Sequence, residues 1–187
     1  MKVVIPPSDL AYRELPDLTA IRRTDVVRVG TKASNLGELA TDGGGDAYTV
    51  PGGFAVPFAF YADHLARHGL DKRIKAMLSD GKFRKDRAHR EATLEKLRHA
   101  MQEAELDPAF VKRIDGKVTG RFPGQGVFVR SSTNAEDLPG FNGAGLYDTV
   151  PNVKGAEALG AAVKQVWASL WNFRAHEERT RAGIDHQ

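Results

Sequence analysis

The 187-residue sequence has no cysteine, which excludes disulfide cross-links and thiolate metal sites and suits a reducing cytoplasm. No apolar run approaches membrane-spanning length, so no membrane partner is expected. The stretch Met1–Ile5, ahead of Pro6-Pro7, is too short to be read as a secretory signal. An excess of one charge is also missing. The 27 basic and 24 acidic residues leave a net +3, too mild to argue for nucleic acid. There is no internal repeat and no low-complexity tail. His89 and His99 stand ten residues apart, which excludes an i, i+4 metal pair between them. What is present is ordinary for a globular protein: 41% hydrophobic and 27% charged residues, with length enough for one core.

The richest stretch runs from Val127 to Val153. Val127-Phe128-Val129 reads as a short buried strand, followed by Arg130 and the hydroxyls Ser131 and Ser132. Gly140, Gly143 and Gly145 precede a second alternating piece, Leu146 to Val150. A fixed cation, hydroxyls and a glycine loop between two strands suit a polyphosphate. Arginine offers a planar fork of donors, and glycines let backbone N–H groups approach phosphate oxygens. The same residues fit a plainer reading. Thr133 and Glu136 have capping-box spacing, and glycines after Pro139 serve turns equally well.

Around this stretch the chain alternates turns and helices. Residues 1–25 read as an extended N-terminal arm with about one helical turn. Val26–Val29 reads as a strand ended by Gly30, and Ala33–Ala40 as a helix with Leu36 and Leu39 on one face. Lys32 then stands at a strand-to-helix junction, where helix-start N–H groups attract anions; a solvated lysine is the alternative. Thr41–Thr49 reads as a flexible loop, and Val50–Val56 as a turn into a strand. Pro57 opens a helix over Phe58–His68 with a packed aromatic stripe. Helices are expected over about 71–79, 86–105 and 108–118, with Leu94, Leu97, Met101 and Leu106 as an apolar stripe. The basic residues between Lys72 and Arg90 read as a solvated face or a contact for an acidic partner. Residues 155–182 read as one bent helix with Trp167 and Trp171 in the core, and Arg174, Arg179 and Arg181 at its C-terminal end.

The string R-S-S-T-N-A-E-D-L-P-G-F-N-G-A-G-L-Y-D-T, residues 130–149, resembles the signature of the ATP-binding domain of the phosphoenolpyruvate synthase and pyruvate phosphate dikinase family. Rifampicin phosphotransferases and glucan, water dikinases share it. G-T-K-A-S-N-L-G-E-L (30–39), V-P-G-G-F-A-V (50–56), V-W-A-S-L-W-N-F-R-A (166–175) and R-A-G-I-D-H (181–186) agree in the same order. The resemblance covers about residues 26–187. It implies an α+β fold: the first lobe of an ATP-grasp domain, mostly antiparallel sheet with flanking helices. It implies ATP and Mg2+ as cofactors, with magnesium ligands from a second lobe for which no segment is found here. Lys32 and Arg130 would bind the ATP phosphates, Arg130 with a catalytic role in stabilising developing charge. Gly145 and Thr149 match positions that touch nucleotide. Ser131 and Ser132 match more weakly and suit holding the loop. Glu136 and Asp137 suit ordering the loop better than a metal. In the family, phosphoryl passes from ATP through a phosphohistidine to pyruvate or another acceptor. None of the six histidines here has the carrier context, so the chain is expected to be one lobe of a larger enzyme. A non-catalytic nucleotide- or partner-binding remnant is the alternative.

Overall fold

The structure is a computed structural model that describes residues 5–42, 47–135, 137–138 and 141–186; of Asp137 only the backbone is described. It resolves into two compact units. The first comprises Met1–Ala62 and Ser132–Gly143, the second Asp63–Ser131 and Ala144–Gln187.

In the first unit, Val26–Val29 forms a single helical turn, α1, where a strand is expected. The reason is local bonding around it. The backbone N–H of Arg22 donates to the Asp25 carboxylate, and Gly30 N–H donates to Val26 O at 3.1 Å. These bonds close the turn around the three valines. Helix α2 (Thr31–Asp42) follows directly. Its inner face is Ala33, Ser34 and Gly37, with Leu36 and Ala40 packed beside it, whereas Leu39 points outward at 44% exposure. The segment read as an arm supplies Leu15, Leu18 and Ile21 to the buried set, and Leu18 and Ile21 pack with Val29, Ala33 and Ala55. The expected strand over 50–56 is reduced to one antiparallel bridge, Asp17 to Phe54. Part of the Thr41–Thr49 loop, residues 43–46, lies outside the described residues, and Thr41 and Asp42 belong to α2. Two short strands, β2 (Asp137–Leu138) and β3 (Phe141–Asn142), pair antiparallel later in the chain.

Helix α3 (Phe58–Arg67) starts after Pro57, as expected. The second unit then carries α4 (Leu70–Ser79), a short α5 (Gly81–Lys85), α6 (Arg87–Glu103) and α7 (Pro108–Arg121). Three starts are capped by aspartates. Asp80 accepts from Lys82 N–H at 2.9 Å, Asp86 from His89 N–H at 3.0 Å, and Asp107 from Ala109 N–H at 3.0 Å. Each satisfies a donor that the first turn leaves open. The stripe on α6 is the core: Leu94, Leu97 and Met101 are buried, together with Leu106 beyond its end and Ile114 of α7. The segment 155–182 is broken into α8 (Ala156–Ser169) and α9 (Phe173–Arg181) by Leu170–Asn172. Trp171 is buried and Trp167 stacks on Phe110 at 5.8 Å. Most of the basic run is exposed, but Arg90 pairs with Glu177 at 2.8 Å, and Arg87 sits over the Phe173 ring. No helix among the described residues is long and apolar enough to cross a membrane.

Between these helices β1 (Val127–Arg130) pairs antiparallel with β4 (Thr149–Val153). Among the described residues the sheet is confined to these two ribbons, both antiparallel, in a mainly helical chain. Val127, Val129, Val150 and Val153 lie on the ribbon's inner, α8 side, and the alternate residues are exposed. The central strand is thus one-sided, not buried on both faces: Phe128 is 67% exposed.

The C-terminal segment returns to α9. His186 stacks on His176, with centroids 4.1 Å apart and rings 8° from parallel. Burial, with the nearby charges of His176 and Arg179, pushes His186 down to about 3. Burial also holds His176 and His64 below the ordinary histidine value. His186 is neutral when folded, whereas the unfolded chain protonates it below about pH 6.5, and the downward shifts of His176 and His64 act in the same direction. The unfolded state therefore binds more protons, and stability is lost as pH falls below about 6.5. From pH 7 to pH 5 His186 alone is expected to lower the urea midpoint by the equivalent of about 2 kcal/mol. His186→Phe should remove that contribution and leave only the slope due to the other histidines. A midpoint that stays constant over this interval contradicts the burial of these rings.

Candidate functional site

The expected site residues divide between the two units. In the first, Gly30 takes φ +84, and a Cβ placed there would stand 2.6 Å from Ser132 C and Oγ. That close approach lets the Ser132–Thr133 backbone lie on the start of α2. Thr31 N–H donates to Thr133 O at 2.9 Å, and Ala33 N–H donates to Ser132 Oγ at 3.0 Å. Ser132 is therefore a helix cap supplied from about a hundred residues away in sequence. Asn134 extends the same clasp, donating from Nδ2 to Pro6 O at 2.7 Å.

Lys32, half-buried, sits in the first turn of α2. It stands between two helices, α1 and α2, not at the expected strand-to-helix junction. Two first-turn N–H groups are already bonded to the 132–133 segment. An anion at this helix start would thus be met mainly by the lysine side chain, less by backbone donors.

In the second unit, Arg130 is the last residue of β1, exposed and paired across the ribbon with Thr149. In an antiparallel pair these opposed residues share a face. Among the described residues, the Arg130 guanidinium makes no ion pair or hydrogen bond. Ser131 is buried, behind that face. Gly145, exposed at φ +72, turns the chain just before Leu146–Asp148 leads into β4. The ribbon thus presents a cation, a hydroxyl and a glycine turn at one end. Glu136, Pro139 and Gly140, together with the Asp137 side chain, lie outside the described residues, so the roles expected of them have no counterpart in this geometry.

The break between α8 and α9 holds this end in place. Asn172 Nδ2 donates to Asp148 Oδ1 at 3.0 Å, and Gln165 Nε2 donates to Asp148 Oδ2 at 3.3 Å. Arg179 donates to Leu170 O at 2.7 Å and to Tyr147 Oη at 3.4 Å. Arg179 is 4% exposed, so it ties the break to the glycine turn and does not serve the helix dipole as a surface cation. These positioning residues escape sequence reasoning. Asp148 and Asn172 have no periodic relation, and a buried arginine has the same letter as a surface one.

Among the described residues no group of three or more His, Asp or Glu side chains is placed to hold a metal ion. The described residues do not by themselves fit a magnesium site.

Comparison with known proteins places the chain in a family of nucleotide-binding domains. It belongs to the family described as the pyruvate phosphate dikinase, AMP/ATP-binding domain, which matches residues 26–187. It is 37% identical over 170 residues to a phosphoenolpyruvate synthase of Pseudomonas aeruginosa, covering 87% of this chain and 21% of that protein. A phosphoenolpyruvate synthase of Neisseria meningitidis is 34% identical over 175 residues, covering 89% of this chain and 21% of its own length. A rifampicin phosphotransferase of Streptomyces is 32% identical over 181 residues, covering 95% of this chain and 20% of its own length. The chain therefore spans about a fifth of the length of the curated relatives it matches.

Proposed function

We propose that this chain binds ATP as the first lobe of an ATP-grasp domain in a dikinase of the phosphoenolpyruvate synthase type. In the whole protein, phosphoryl would leave ATP for a histidine on another domain and pass to pyruvate or another acceptor. The observation that carries the reading is Arg130: an exposed guanidinium at a strand end, opposite Thr149 and near the Gly145 turn. The names of the relatives, synthase and phosphotransferase, support the same chemistry.

The roles follow from charge and reach. Arg130 meets phosphate oxygens with paired N–H donors and stabilises the charge that develops as phosphoryl departs. Lys32 supplies a point charge to the phosphates. Thr149 Oγ1 and the backbone at Gly145 offer further polar contacts, and Ser131 holds the turn from behind. ATP travels with Mg2+, whose ligands are assigned to other parts of the protein. The dikinase reading is tested on the full-length parent protein with labelled ATP. Acid-labile, base-stable phosphoprotein that discharges to pyruvate or another added acceptor supports it. Nucleotide binding without any phosphoprotein points instead to a non-catalytic module.

A further inference from the structure

We infer that Phe128 is the nucleobase platform of this chain, its ring taking one face of the adenine while Arg130 holds phosphate. The inference rests on the ATP-binding reading and adds to it the group that meets the base. Strand β1 alternates strictly. Val127 and Val129 turn toward α8, while Phe128 and Arg130 share the open face. Phe128 is 67% exposed, and among the described residues its ring stacks on no other aromatic ring. Successive residues on one face of a strand are about 7 Å apart. Both side chains are long enough for one nucleotide to lie along the strand, base on the ring and phosphates at the guanidinium.

The partner strand is built around the same position. Val127 pairs with Val153 and Val129 with Val150, so two residues of β4, Pro151 and Asn152, oppose the single residue Phe128. Asn152 takes φ 52, a conformation uncommon outside glycine. This is a β-bulge, a device that bends a ribbon and re-aims a side chain, and bulges concentrate beside active sites. A protein partner fits the face less well. The other large exposed hydrophobics, Leu10, Leu39 and Tyr48, all belong to the first unit. One ring beside the small Pro151, flanked by Arg130, Thr149 and Asn152, is not the contiguous apolar patch that a protein interface presents. Anionic phosphates match Arg130, and a base supplies the flat surface that the ring lacks.

A stacking platform reads the π-face and not the edge of a base, so it tolerates different bases. ATP and GTP should bind this chain with similar affinity. The test compares wild-type chain with Phe128→Ala, Phe128→Leu and Phe128→Tyr, titrated with ATP and separately with inorganic tripolyphosphate, both with magnesium. Ligand-observed NMR is the readout. Wild type and Phe128→Tyr should shift the adenine protons upfield by ring current. Phe128→Ala and Phe128→Leu should lose that shift and weaken ATP about fivefold or more, with tripolyphosphate unchanged. The exposed position should leave all four proteins with the same melting temperature. Unchanged ATP affinity and adenine shifts in Phe128→Ala overturn this inference and leave the ATP reading standing. Equal loss of ATP and tripolyphosphate binding in a folded Phe128→Ala also overturns it. Wild type that binds neither probe overturns both readings.

Discussion

On the proposed dikinase reading, replacing Arg130 by alanine in the whole protein is expected to cut ATP-dependent phosphorylation of a carrier histidine by about 10²-fold or more. The size of the effect follows from the role proposed for the guanidinium. A donor held where charge develops in the transition state is worth a few kcal/mol, and each 1.36 kcal/mol is a factor of ten in rate. Arg130 is positioned for this by the backbone: it ends β1, which is locked by pairing to β4 and by the valines against α8. Because no side-chain partner among the described residues depends on it, removing the guanidinium should leave stability nearly unchanged. Arg130→Lys should recover only part of the rate, since an ammonium lacks the paired N–H geometry. Phosphohistidine formation at the wild-type rate in Arg130→Ala would remove Arg130 from the site.

The second large effect is on stability. Gly30→Ala is expected to destabilise the chain by about 3 kcal/mol or more. Two costs combine. The position has φ +84, strained for any residue with a Cβ, at about 1–3 kcal/mol. The added methyl would also meet Ser132 C and Oγ at 2.6 Å and Ser132 O at 2.7 Å, so backbone must move, at a similar cost. The movement would pull apart the Thr31–Thr133 and Ala33–Ser132 hydrogen bonds. For a chain of this size the melting temperature should fall by about 10 °C. Ser132→Ala is the comparison, because it removes the cap acceptor and adds no volume, at about 1 kcal/mol. A Gly30→Ala protein that melts within two or three degrees of wild type contradicts the close approach.

The helical part of the fold was legible because its signals are local. The stripe of Leu94, Leu97 and Met101 recurs within a few residues, and the structure adds aspartate caps at Asp80, Asp86 and Asp107 that the sequence reading did not single out. The ribbon was legible as two apolar pieces bracketing a glycine loop, although β4 is shifted toward Val153. Errors arose where composition is outweighed by particular hydrogen bonds or by packing partners elsewhere in the chain. Val26–Val29 has strand composition, but bonds at Arg22 and Gly30 wind it into a turn. Leu39 has helical spacing with Leu36, yet the face that packs is set by Ile21 and Leu18. Single-residue spacing identified Arg130 and Lys32 only as cations at element ends. Asn172 and Arg179, which hold the glycine turn, carry no sequence signal that separates them from surface polar residues.

ATP binding through Arg130 is tested most directly by calorimetric titration of ATP with magnesium into the purified chain, wild type beside Arg130→Ala. Wild type should bind on the order of millimolar, corresponding to about 4 kcal/mol, because a site still open to water gains little from each charge contact. Arg130→Ala should bind at least tenfold more weakly. Equal affinities in the two proteins would contradict the assignment.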